Sequence, residues 1–521
     1  MVRIVLTADE TLMSSYRDIA LLDFLGCAPS ELVPRPAYSF LQTKSPHRGG
    51  ILLQAPYSLR KVEAALLAQG FDRDEVVVVH PDHIERFVDE RTTIVGLSVM
   101  DPMGLGPVTM MFTVGGAFTS YTKLKFLSLV KRINALKKRY GFKFVVGGQG
   151  CWQLVGESEG LGIDHLVIGE TDHLIGELFR EIENGSAERT VRIRGFPTID
   201  QIPCIVGASY KGMVEVMRGC GRNCRFCSPN LRLARYYPVE KVLKEVEVNV
   251  RSGIDRAWLH SDDIFLYKLK DRRNFYPNTE EVVELFERVR STFKLRHMNP
   301  THGSIAPVVA DPTLLPRLSE ASGANAGNWI GVQSGLETGS PDLIKKSMEN
   351  KAKPFSCEEW PNVVIEGTYL FNLNYWYPAY TLIVGLPGET EEDALETAQL
   401  IVTMEKVLDE RLGRRGRFIA APLAYVPLGL LRGGRFDVAE QMTQARFLVI
   451  YHAWKHILRE VQGHMAEVMP HRALNMMVAY PLSRFGSRLI LDQIRTWGIK
   501  NGFDPDRPLK PLELNIAVPA K

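Results

Sequence analysis

Three cysteines crowd the stretch Met217-Arg218-Gly219-Cys220-Gly221-Arg222-Asn223-Cys224-Arg225-Phe226-Cys227-Ser228-Pro229-Asn230. Thiolates are soft ligands, suited to zinc and to iron–sulfur clusters. At the spacing CxxxCxxC, three of them can wrap three corners of a four-iron cube. The fourth iron then lacks a protein thiolate and stays open to substrate, as the fourth position of a catalytic zinc does. The triad directly follows a strand signal, so it belongs in a βα loop at the site-bearing end of a sheet. A zinc knuckle is the competing reading. Zinc sites usually come as two short pairs, and no second CxxC exists here. Cys27, Cys151, Cys204 and Cys357 are isolated, and each reads as a small buried hydrophobe.

The elements that must position this loop alternate between strand and helix. Arg3–Leu6, Glu75–Val79, Thr93–Val99, Phe142–Val146 and His165–Ile168 are apolar strand signals. Leu59–Gln69, Leu124–Tyr140 and Leu174–Ile182 have helical spacing. In the second of these, Phe126, Leu129, Val130, Ile133 and Leu136 fall on one face. This βα order predicts a doubly wound parallel sheet over residues 1–185, with its ligand site at the carboxyl ends of the strands. Residues 186–210 read as a linker, with charged Glu188–Arg194 and then Pro197 and Pro203.

A second βα series runs through Met213–Met217, Arg256–His260, Arg296–Asn299, Asn328–Gln333, Tyr380–Val384 and Phe418–Ala421. Six units predict an open or partial barrel over 211–435. From 436 to 521 the chain should be mainly helical (Gln441–Val461, then Ser487–Thr496), with an extended, proline-bearing tail. The expected fold class is therefore α/β, a Rossmann-like domain followed by a partial (β/α)6 barrel and a helical region.

The motif and its setting resemble the radical S-adenosylmethionine (SAM) superfamily. There, CxxxCxxC binds a [4Fe–4S] cluster whose open iron is chelated by SAM, and Phe226 matches the aromatic residue before the third cysteine. The resemblance implies a cluster on Cys220, Cys224 and Cys227. It implies SAM contacts from Asp262 or Asp263 after the second strand, and from Gln333, Ser334 and Glu337 in Gly331-Val332-Gln333-Ser334-Gly335-Leu336-Glu337. Gly385 and Pro387 in Gly385-Leu386-Pro387-Gly388-Glu389-Thr390 match the sixth-strand turn near adenine. The family often has Glu where this chain has Gln333.

A doubly wound domain ahead of such a barrel is similar to the cobalamin-binding branch of the superfamily. That likeness implies cobalamin, as methylcobalamin, held by strand-end loops. These carry Ser98, then Met100, Asp101, Met103 and Gly104, then Gly147, Gly148 and Gln149, and finally Gly169 and Glu170. The DxHxxG of histidine-on cobalamin proteins is missing. His80 and His83 lie in HPDH and read as surface or helix-cap residues, so no histidine lower ligand is expected. A cofactor-free docking domain is the alternative.

With both cofactors, methyl transfer to an unactivated sp3 carbon is the implied reaction, fed by an external electron donor. The layout is similar to archaeal methylases of a glutamine α-carbon in methyl-coenzyme M reductase, which implies a protein or peptide substrate. Tyr375, Trp376, Tyr377 and Tyr380 are weak candidates for its cleft, or ordinary barrel core. A cyclase or natural-product methylase, a methylthiotransferase and a non-catalytic sensor are the other readings. The cysteines of a second cluster and a C-terminal RNA-binding β-barrel, which a methylthiotransferase needs, are not evident.

Composition narrows partners further. Lys+Arg 63 against Asp+Glu 60 leaves +3, which predicts no nucleic acid and no anionic membrane surface as partner. Arg411, Arg414, Arg415 and Arg417 read as a solvated loop, or as a patch for an acidic partner. No apolar run spans a bilayer. The start MVRIVLTADE reads as a strand and not as a signal peptide. Seven cysteines, three of them in eight residues, suit a reducing cytoplasm.

Overall fold

Apolar runs in the N-terminal part pair into a single parallel sheet. A computed structural model describes residues 2–16, 20–468 and 486–514. Its strands are β1 (Ile4–Ala8), β2 (Val76–Val78), β3 (Ile94–Ser98), β4 (Lys143–Gly147), β5 (His165–Ile168) and β6 (Thr190–Arg192). They lie in the order β2-β1-β3-β4-β5-β6, every pair parallel. Alternation along each strand feeds two cores. Ile4, Leu6 and Ala8 meet Leu59, Leu66, Ile175 and Leu178 on one face. Val5 and its neighbours meet Phe126, Leu129, Val130 and Ile133 on the other. The helix Tyr121–Tyr140 has clear end signals. Ser120 accepts from Lys123 N at its start, and Gly141 takes the left-handed φ of 80° at its end.

The strand order reverses between β1 and β3, which opens the ligand-bearing crevice of a doubly wound sheet at their carboxyl ends. Just beyond β1 lies Asp9, a buried carboxyl that accepts from Thr11 N at 2.8 Å. Thr11 O in turn accepts from Tyr16 Oη at 3.0 Å.

The linker expected over 186–210 is not plain linker. It contributes the edge strand β6, whose Thr190, Val191 and Arg192 pair with Leu166, Val167 and Ile168. Edge strands tolerate charge on their open side, so the charged run hid a strand. The first compact unit extends over Met1–Val214 and takes in Tyr237–Ala257. A buried ion pair lies within it. Glu245 on the helix Val239–Arg251 accepts from Lys61 Nζ and Tyr57 Oη, each at 2.6 Å. Asn249 Oδ1 on the same helix accepts from Ser209 N at 2.8 Å.

The second unit spans Glu215–Tyr236 and Trp258–Lys521. The barrel strands are β7 (Met213–Glu215), β8 (Arg256–His260), β9 (His297–Pro300), β10 (Ile330–Glu337), β11 (Trp376–Val384) and β12 (Ile419–Ala424). The division between units falls inside the sheet β9-β8-β7, after Val214 and after Ala257. The sheet β10-β11-β12 is parallel, and a bridge from His302 to Gln333 joins the two sheets. Six strands in sequence order make the expected open barrel. Helices Gln444–Val468 and Ser487–Lys500 follow. Residues 469–485 and the end of the tail lie outside the described residues. No helix among the described residues is long and apolar enough to cross a membrane.

Burial pushes the Asp9 carboxyl up to about 6, with the Thr11 hydrogen bonds opposing. Between the usual carboxylate value near 4 and about 6, the folded chain keeps a proton that the unfolded chain has lost. Stability therefore falls as pH rises through that window. Asp9→Asn should raise the melting temperature at pH 7.5, by up to roughly 3 kcal/mol of stability. The gain should vanish near pH 4. Thermal melts of both proteins across pH 4–8 read the crossover.

Candidate active site

The triad sits on a loop whose backbone is wound tightly. Gly219, Gly221 and Asn223 all have positive φ, at 75°, 77° and 60°. A Cβ on Gly219 would lie 2.8 Å from Arg232 O and 2.9 Å from Leu233 O. Cys227 N donates to Cys224 O at 3.1 Å, and Arg225 N to Ser347 O at 2.9 Å. From the other side, Leu430 N and Leu431 N donate to Arg225 O at 2.6 and 2.8 Å. Gly429 is pressed so close that a Cβ there would lie 2.4 Å from Arg225 O.

Both aspartates after β8 brace this loop. Asp262 accepts from Gly219 N. Asp263 accepts from Ser304 N at 3.0 Å and faces Arg222 Nε at 3.4 Å. Arg222 is buried and crosses the site, donating to Asn350 O at 2.7 Å and Ser304 Oγ at 2.9 Å. Sequence reasoning gave it no role, although it lies between the first two cysteines. It also missed His260 and His302. These ring neighbours are 6.2 Å apart, and both contact Thr301 Oγ1 through Nδ1. Burial holds His302 below the usual imidazole range.

The three thiols are desolvated. Burial pushes Cys220 up to about 12 and also raises Cys224 and Cys227. Iron must displace their protons, so loading weakens in acid. Three soft thiol donors, buried or half-buried on one tightly wound loop, are the donor set that a [4Fe–4S] cluster takes. The loop's surroundings are apolar and open, with Leu430 64% exposed and Leu231, Leu233 exposed as well. Cys151 is buried as expected, whereas Cys27, Cys204 and Cys357 are half-buried.

The other expected SAM contacts divide. Phe226 is half-buried in the cysteine loop, and Gln333 is half-buried in β10. Ser334 lies on the opposite face of the strand, buried with Val332 and Leu336, and its hydroxyl has no partner. Glu337 is committed to Lys351 Nζ at 3.1 Å and Thr381 Oγ1 at 3.2 Å. Gly385 has φ 82°, and its missing Cβ makes room for the Phe436 ring. Pro387 is half-buried in the same turn.

Tyr375 and Tyr377 stand at the start of β11, the end away from the cysteine loop. Arg415 lies over the Tyr375 ring at 4.3 Å, and Tyr377 Oη donates to Glu460 at 3.0 Å. Trp376 and Tyr380 are buried core. The structure does not bring these four to the cysteines. Nor is the arginine cluster a plain solvated loop. Arg411 and Arg417 cover the rings of Tyr369 and Trp329, at 3.5 and 4.4 Å.

In the first unit the expected strand-end residues cluster at the carboxyl end of the sheet. Gly148, Gln149, Gly169 and Met100 are exposed, Met100 by 62%. Glu170 and Gly147 are half-buried, and nothing lies within 4 Å of a Cβ on Gly147. Ser98 Oγ contacts Ser58 Oγ at 3.0 Å. Asp101 organises its own loop, accepting from Gly106 N at 2.8 Å and Gln153 Nε2 at 2.6 Å. Met103 packs on the core, and Gly104 is buried at φ 69°. His80 caps its turn as expected, Nδ1 accepting from Asp82 N at 3.2 Å. Burial lowers it to about 4.

These features define a class, a partial barrel with a desolvated cysteine triad in its first loop. Residues 214–401 match the model of the Radical SAM superfamily. The chain therefore carries a radical SAM enzyme domain, whose chemistry runs on a [4Fe–4S] cluster and SAM. It is 26% identical over 251 residues to the tRNA-2-methylthio-N(6)-dimethylallyladenosine synthase of Sulfurihydrogenibium sp. (strain YO3AOP1), covering 46% of this chain and 52% of that one. It is 29% identical over 231 residues to the ribosomal protein uS12 methylthiotransferase RimO of Dechloromonas aromatica (strain RCB), covering 40% and 44%. The chain thus spans about half the length of these curated relatives. The fold is similar to that of the radical S-adenosylmethionine methyltransferase TsrM from Kitasatospora setae, solved with tryptophan and aza-SAM. That match has a TM-score of 0.54 at 17% identity and covers 82% of this chain and 75% of that one. A second TsrM structure, with cobalamin and the [4Fe–4S] cluster, matches at 0.53 and 16%.

Gly219→Ala should add about 1–2 kcal/mol of backbone strain, besides the overlap with Arg232 O. We expect a folded protein with a clearly lower iron and sulfide content after reconstitution, measured by colorimetric assay per chain.

Proposed function

We propose that the chain is a cobalamin-dependent radical SAM C-methyltransferase acting on an sp3 carbon of a peptide. One observation carries this reading. The triad-bearing barrel is joined to a doubly wound unit whose strand-end loops are exposed and glycine-rich. Exposed Met100, Trp152 and Val155 add an apolar face there, as a corrin edge requires. Cys220, Cys224 and Cys227 would hold the cluster, with Asp262 and Asp263 fixing their loop. The loops after β3, β4 and β5 would hold cobalamin. The cofactors supply a 5′-deoxyadenosyl radical and a transferable methyl group. The chain's own residues position them and keep water out.

Methylthiotransferase relatives make sulfur insertion the second reading. It is the weaker one. Outside the triad the other four cysteines, Cys27, Cys151, Cys204 and Cys357, stand singly in the sequence. After β12 the named elements among the described residues are helices. The glutamine-bearing segment of methyl-coenzyme M reductase is the peptide to test first, and a reducing cytoplasm is the compartment such a cluster needs.

Anaerobically reconstituted protein, reduced by a one-electron donor, should form 5′-deoxyadenosine from SAM. Cys224→Ala should lower this at least a hundredfold. The protein should also bind hydroxocobalamin, read by its visible spectrum. Methyl-labelled SAM should add a labelled methyl to carbon of the peptide, read by mass spectrometry. An intact cluster that yields no 5′-deoxyadenosine with any tested peptide would defeat the reading.

A further inference from the structure

Lys351 and Glu337 form a buried ion pair beside the cysteine loop. Gly335 leaves the space for it. A Cβ on that glycine would lie 2.0 Å from Glu337 Oε1 and 2.6 Å from Lys351 Nζ. Glu337 takes a left-handed φ of 64° at an irregularity in the β10 pairing. Burying such a pair seldom adds stability, because desolvation offsets the attraction. A strained backbone, a glycine gap and two desolvated charges are a costly arrangement for packing alone.

The lysine is also fixed relative to the cysteines. Arg222 Nη1, from between Cys220 and Cys224, donates to Asn350 O at 2.7 Å and to Lys351 O at 3.4 Å. Arg225 N, between Cys224 and Cys227, donates to Ser347 O at 2.9 Å. Both ends of the turn that carries Lys351 are thus tied to the loop.

We propose that Lys351 is a positioning cation that eases one-electron reduction of the cluster held by the triad, and that Glu337 limits its effect. The inference rests on the reading of the triad as a cluster site. Reduction by an external one-electron donor adds one negative charge, and a fixed cation in a low-dielectric setting favours it. Net charge near a cluster is one of the recognised controls on its potential.

The test uses the full chain, reconstituted with iron and sulfide and without SAM, in an EPR-monitored titration with dithionite and mediators. Lys351→Met should cut the reduced-to-oxidised ratio at the wild-type midpoint about tenfold, a shift of about 59 mV to more negative potential for one electron. Lys351→Arg should keep the wild-type midpoint. Glu337→Gln should shift it the other way, and it carries the test should Lys351→Met not load. Wild-type midpoints in both neutral variants, at wild-type iron and sulfide content, would overturn the role of Lys351. A wild-type chain that assembles no cluster would instead overturn the reading beneath it.

Discussion

The path of the cysteine loop is set by three residues with positive φ and by the partners that close on its backbone. A chain wound through the left-handed region costs free energy that local sequence alone does not return. Here the return comes from long-range hydrogen bonds. Asp262 receives Gly219 N, Ser347 O receives Arg225 N, and the 430–431 segment donates to Arg225 O. Each partner comes from a different part of the barrel unit. The geometry of the thiols is therefore a property of the folded barrel and not of the motif, which by itself is only a flexible peptide with three soft ligands.

The first unit solves a different problem with the same tools. A parallel sheet buried on both faces favours apolar residues throughout, and β1 and β2 supply them except at Thr7, whose hydroxyl donates to Val79 O at 2.9 Å. Its polar and conformationally special residues are then confined to the strand ends. Gly148 shows the constraint. Its φ is 112°, and a Cβ would lie 2.5 Å from Val99 O. Part of the glycine pattern at these loops thus serves close backbone packing. Around Gly147, by contrast, nothing lies within 4 Å of where a Cβ would sit.

Periodicity revealed most strands and helices within a few residues, because burial on one or two faces writes a period into the sequence. The Arg256–His260 and His165–Ile168 strands are found where expected. The strand at Thr190–Arg192 was hidden because an edge strand need not be apolar. The attachment of Val239–Arg251 to the first unit was hidden for another reason. It involves Glu245 finding Lys61 and Tyr57, and Asn249 finding Ser209, and no local pattern encodes partners that remote. In the site, the thiol ligands were legible because cysteine spacing is itself the chemistry. Asp262 and Asp263 were legible as important but not in role, since a carboxylate that binds a ligand and one that braces a loop look alike in sequence. Lys351 was illegible because its meaning comes from Arg222 and Gly335, far apart in the chain.

The matched family segment, 214–401, contains the triad, both aspartates, Glu337 and Lys351, everything argued above to start a radical. The relatives that share it are methylthiotransferases, so this segment does not by itself decide how the reaction ends. That decision falls to the flanks. A sulfur-inserting enzyme must bring further cysteines or a sulfur carrier. The N-terminal flank here brings isolated cysteines and an exposed apolar rim at the end of a nucleotide-type sheet. Cys27, Cys151 and Cys204 stand singly in the sequence without the spacing of the triad, whereas an exposed apolar rim is a surface that a macrocycle can use.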